Sequence, residues 1–149
     1  MKHLRPVVAL LALLFLAFAS KAQEAKQTLF SAYPASITSK SNLFEKALLA
    51  KEGQHIVIPV SENFSISGTV VSNVFKYGKM QTVVIRSDVF EGALLLISKN
   101  NLPSQKVVVT GRLISPRASD GYQIKQNEDG AFVFEKIDAG RLLETCAHP

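Results

Sequence analysis

Three side chains could in principle ligate a soft metal or act as nucleophile and base beyond the first few residues: His55, Cys146 and His148. A catalytic zinc needs three protein ligands and an open position, and its ligands usually recur at short spacings. His55 stands alone at the head of an alternating apolar segment and reads as a surface or packed residue. No metal site is expected in the isolated chain, and no cofactor. Cys146 lies in Glu144-Thr145-Cys146-Ala147-His148-Pro149, where an imidazole is close by. A nucleophilic thiol needs a binding pocket as well as a base, and a chain terminus offers none. Three roles stay open for Cys146: an inert terminal thiol, an intermolecular disulfide linking a dimer, and a soft ligand offered to a partner's metal. As the single cysteine, it can form no disulfide within the chain.

The carboxylates come closest to an acid and base inventory. Asp88 and Glu91 fall in one loop, Asp120 in another, and Glu128 and Asp129 in a short polar turn. Each has a plainer explanation: Asp129-Gly130 is turn chemistry, Asp120-Gly121 a strand entry, and Asp88 and Glu91 a solvated pair. Without an activating environment none can be assigned acid–base work. A Gly-x-Ser-x-Gly elbow, a phosphate-cradling glycine loop and a dinucleotide fingerprint are all missing, so no catalytic residue is expected. Asn63-Phe64-Ser65 has the form of a glycosylation acceptor, a triplet common by chance.

The elements that would position these residues begin behind an export signal. Lys2, His3 and Arg5 precede an unbroken apolar run over residues 7–18, and Ser20-Lys21-Ala22 supplies small residues for a signal peptidase. That run is far short of the roughly 20 residues of a membrane-spanning helix. With no cysteine at the cut, cleavage before Gln23 and export to the periplasm or beyond are expected, with no membrane anchor afterwards. Removing 22 of the 149 residues leaves 127, enough for one domain, and leaves 14 of the 17 basic residues against 12 acidic ones. The mature chain is then near +2, and its charges, scattered singly among apolar residues, lack the clustered basic footprint of a nucleic-acid binder.

Residues 23–41 are expected to form a lightly ordered leader, and residues 42–149 a single β-rich domain. Asn42 and Glu45 suggest a capping box opening a helix with Leu43, Phe44, Ala47 and Leu48 on one face and Gly53 as its stop. From His55 onward the period is two. Strands are expected over 55–60, 64–74, 81–87, 93–99, 106–115, 121–125 and 131–136. Tyr77-Gly78-Lys79 and Asn127-Glu128-Asp129-Gly130 mark turns. In the second strand Phe64, Ile66, Val70 and Val74 should share the buried face, opposite Asn73, and Tyr122, Phe132 and Phe134 should be buried in the last hairpin. A short helix over 139–145 closes the chain. The fold class is therefore mainly β: a small antiparallel barrel or strongly curved sheet of about seven strands, with the first helix covering an opening or edge.

Gly121-Tyr122-Gln123-Ile124, then Gly130, Phe132, Phe134, Glu135, Ile137 and Asp138, and finally Cys146, resemble the closing hairpin of the β-rich N-terminal module that precedes the catalytic domain in some secreted bacterial zinc metallopeptidases. The stretch 64–70 and the strand Gly111-Arg112-Leu113-Ile114 are similar to small exported β-proteins of Bacteroidota. The resemblance implies a prodomain-like module, here standing without a catalytic domain, whose Cys146 would block the zinc of a partner peptidase. A non-enzymatic, exported, protein-binding module is the function expected. The alternatives are a small-ligand or glycan-binding barrel, weakened by the absence of tryptophan, and an enzyme using the scattered carboxylates.

Overall fold

The computed structural model describes residues 26–102 and 106–139. The signal segment, the expected closing helix beyond Ala139, Cys146 and His148 lie outside the described residues. Alternation decides the architecture, because a segment with one apolar face is stable only when that face is covered. The strands are β1 (Ser36–Ser39), β2 (His55–Ser61), β3 (Phe64–Lys76), β4 (Met80–Ser87), β5 (Leu94–Asn101), β6 (Val107–Ile114), β7 (Asp120–Gln126) and β8 (Phe132–Asp138), with one short helix, α1 (Glu45–Leu49). All pairings between these strands are antiparallel, and the order β1-β8-β7-β6-β5-β4-β3-β2 makes a single meander whose first strand closes onto its last. β1 and β2 come together at the two edges, leaving a nearly closed, barrel-like sheet. Gly68 permits a close approach of β3 to β4: a Cβ there would collide with the Arg86 carbonyl oxygen. Any side chain would push β3 off β4.

The interior is filled by side chains. Ile58, Ile66, Val83, Ile85, Leu95, Ile97, Leu113 and Ile124 are fully buried, as expected of a barrel this narrow. At one end, the segment before β1 crosses the opening and inserts Phe30, 4.9 Å from Phe90 and 5.5 Å from Tyr122 between ring centroids. Tyr33 stacks on Phe64 beside it. At the other end α1 closes the barrel by placing Phe44 edge-on to Phe132 at 4.7 Å. Tyr122, Phe132 and Phe134 are buried, as the alternation predicts.

Four expectations are corrected. There are eight strands, because β1 arises within the segment assigned to the leader and pairs through Ser36↔Glu135 to Ser39↔Phe132. The capping box does not form: α1 starts at Glu45, its cap position is Phe44, and no side chain caps it. Asn42 contributes only its carbonyl, to the Glu45 N–H. Gly53 lies beyond the end of α1, with φ +83°. In β3 the register shifts between Val70 and Ser72, and such a bulge flips every later side chain to the opposite face. Asn73 therefore faces inward under α1, while Val74 faces out and is 42% exposed.

Candidate functional site

The register gathers three residues that the sequence separates. His55 opposes Thr69 and Val57 opposes Ser67 across β2 and β3, which makes His55 and Ser67 diagonal neighbours on the outer face. Asp88 follows β4, and its N–H donates to the Ser67 carbonyl. His55 Nε2 lies 2.7 Å from Asp88 Oδ2, and Ser67 Oγ lies 3.2 Å from the same Nε2. The residue types are those of a hydrolytic triad, but the geometry is not. A triad divides its contacts between the two ring nitrogens, one held by the carboxylate and the other free to take the hydroxyl proton. Here one nitrogen meets both partners, so Nε2–H donated to Asp88 leaves no lone pair there for Ser67. The site is half-exposed, with side-chain accessibilities of 55% for His55 and 51% for Asp88. It is a surface contact, an ion pair only while His55 is protonated, of the kind that contributes about 0–1 kcal/mol.

Asp120 proves to be a clamp. It is 9% exposed, and its two carboxylate oxygens accept the Leu29 N–H at 2.7 Å and the Phe30 N–H at 2.9 Å. Both oxygens are therefore spent on holding the plug. Nearby, the Tyr122 hydroxyl donates to the Pro34 carbonyl at 2.6 Å, and Lys136 Nζ donates to the Tyr33 carbonyl. Burial pushes the Tyr122 hydroxyl pKa above its ordinary 10.0, and the charge of Asp120 and then Tyr33 adds to the shift.

Glu91 pairs with Arg117 at 3.2 Å, with both side chains more than four-fifths exposed. They edge a groove of about 600 Å³ with Lys26, Gln27, Leu29 and Ala118. The charged side chains that line it among the described residues, Lys26, Glu91 and Arg117, are all exposed. Glu128 and Asp129 sit exposed in the turn before Gly130, as turn chemistry requires. Among the described residues no cluster of three or more His, Cys, Asp or Glu could hold a metal.

What stands out is a charge boundary. No Asp or Glu occurs in residues 63–87 or 92–119, so β3, β4, β5 and β6 carry no carboxylate at all. The same four strands and their turns carry Lys76, Lys79, Arg86, Lys99, Lys106 and Arg112. A near-neutral total hides this asymmetry. The outer face of β4, β5 and β6 also carries an apolar patch: Val84 opposes Leu96, and Leu94 opposes Ile114. All four are only half-buried. Arg86 opposes Leu94, and Arg112 opposes Leu96, both arginines being exposed. Such a face can dock an apolar surface that brings its own carboxylates. No family model, no curated protein and no solved structure matches the chain.

Proposed function

We propose that the chain is a non-enzymatic, exported β-module that binds another protein through the outer face of β4, β5 and β6. The observation that carries this is the carboxylate-free face itself, with Val84, Leu94, Leu96 and Ile114 half-exposed between Arg86 and Arg112. The partner would present apolar side chains with Asp or Glu among them, since two arginines left unpaired in a dry interface would be costly. The prodomain-like form of the proposal adds Cys146 as a ligand that blocks the zinc of a partner peptidase. The small-ligand alternative needs an open barrel end, whereas Phe30 and Phe44 fill both ends.

The test is affinity capture from the exported proteins of the source organism, with the chain from Gln23 onward as bait. Capture abolished by Arg86→Glu with Arg112→Glu supports the face. Capture indifferent to both charge reversals removes it. Loss of a captured peptidase on adding chelator, or with Cys146→Ser, supports the prodomain-like form, and indifference to both takes the thiol out of the mechanism. Failure to capture any protein overturns the proposal.

A further inference from the structure

We infer that the tip of the β3–β4 hairpin, with the adjoining ends of β5 and β6, is a docking surface for an anionic lipid bilayer. β3 runs 13 residues, and its ladder to β2 covers only the part up to Thr69, so the remainder of the β3–β4 hairpin projects past the neighbouring strand. Its tip is apolar where it is most exposed: Val74 is 42% exposed, Phe75 72% and Tyr77 89%. Tyr77 and Gly78 both take positive φ, 56° and 63°, a turn geometry that holds the Tyr77 ring out from the end of the ribbon. The end of β5 lies beside it, tied by the Asn101 N–H to the Lys79 carbonyl at 2.9 Å, and the start of β6 adds Val107 at 46% exposure.

Two features select a bilayer as the occupant. Val74 and Phe75 are consecutive strand residues and so face opposite sides, yet both are exposed. The apolar surface therefore wraps around the tip. A rigid protein face covers one side of such a projection, whereas the fluid headgroup region surrounds it, and Tyr and Phe are suited to that depth. Lys76, Lys79 and Lys106 are set among these residues, are exposed and make no ion pair among the described residues. They would meet lipid phosphates, each contributing about 1 kcal/mol near an anionic surface, or about fivefold in partitioning. Carboxylates lie at its margin: Glu45 of α1 shares a notch with Lys99 and Val107, and the β7–β8 turn carries Glu128 and Asp129. This surface is separate from the β4–β6 face and stands or falls without it.

The test is co-sedimentation of the chain from Gln23 onward, which contains every described residue and lacks the apolar leader that would itself enter lipid. The probes are vesicles of phosphatidylcholine alone and of an equal mixture with phosphatidylglycerol. Binding is expected to the mixed vesicles only and to weaken as salt rises. Phe75→Ser with Tyr77→Ser, and separately Lys76→Glu with Lys79→Glu, should each lower partitioning by about tenfold or more. Phe75→Trp should show a blue-shifted emission on the mixed vesicles, which contact by charge alone would not produce. Circular dichroism of each variant establishes that it is folded. Equal binding to both vesicle types, no binding, or folded tip variants that bind as well as the parent would each overturn the proposal. So would a soluble protein that is lost with the tip variants while vesicles are ignored.

Discussion

The two ends of the barrel are closed by the same kind of plug and locked by opposite chemistry. Each end receives one fully buried phenylalanine, Phe30 at 0% and Phe44 at 1% exposure. At the leader end, the incoming segment is held by its own main-chain N–H groups, which bind the Asp120 carboxylate. At the helix end the polarity is reversed: Asn73 Nδ2 donates to the Leu48 and Ala50 carbonyls, and Gln81 Nε2 donates to Leu48 at 2.6 Å. Hydrogen bonds to a charged group contribute about 1.5–3 kcal/mol each, and neutral ones about 0.5–1.5. The leader end should therefore be the firmer lock, although its segment looks the less structured in sequence.

That ranking can be broken directly. Asp120→Ala should cost about 3 kcal/mol in urea unfolding, since one of the two orphaned N–H groups is fully buried. Asn73→Ala with Gln81→Ala should cost less, about 1–2 kcal/mol, because carbonyls at the end of a short helix can turn to water. A helix-end loss equal to or larger than the leader-end loss would invert the comparison. Alkali should sharpen it. The Tyr122 pKa is raised in the fold, so above about pH 10 the unfolded chain loses that proton while the folded chain keeps it. Stability is then full below pH 10 and declines as pH rises toward the folded value. Tyr122→Phe should flatten that alkaline decline in a pH series of melts, at a neutral-pH cost of about 1 kcal/mol for the lost bond to the Pro34 carbonyl. The smallest effect belongs to neither end. Ser39 Oγ is buried without a hydrogen-bond partner among the described residues, and Ser39→Ala should leave stability unchanged or raise it by up to about 1 kcal/mol.

Much of the sheet was legible. Seven strands, the Tyr77-Gly78 and Asp129-Gly130 turns and the buried aromatic set follow from alternation and turn chemistry, because period two is imposed locally by burial of one face. β1 escaped because Ser36–Ser39 is four residues long in a polar setting, and it is a strand only through β8. The inward turn of Asn73 escaped because a bulge depends on the partner strand, not on residue type. Asp120 is the strand entry that the sequence suggests, at the start of β7, but its clamp is invisible there, since its partners are backbone N–H groups that any sequence supplies. The meeting of His55, Ser67 and Asp88 depends on register. The carboxylate-free span, by contrast, lay open in the sequence: charges counted by segment rather than over the whole chain give it at once.

The β1–β8 pairing also sets an order of events in folding. β2 through β8 form a meander of successive neighbours, so each hairpin can form as its second strand appears. Ser36 must find Glu135, and Phe30 must find Asp120 across 90 positions, closures that long-range loop entropy delays. A chain delivered N-terminus first therefore carries β1 and the Phe30 plug uncommitted until its last hairpin has emerged. Pulse-labelled hydrogen exchange during refolding should find the β1–β8 amides protected after those of β3 and β4, and simultaneous protection would contradict this order. Until that seam closes, the half-made sheet exposes two unpaired edges and the aromatic interior, and it is then that the chain is most open to chaperones, proteases and copies of itself.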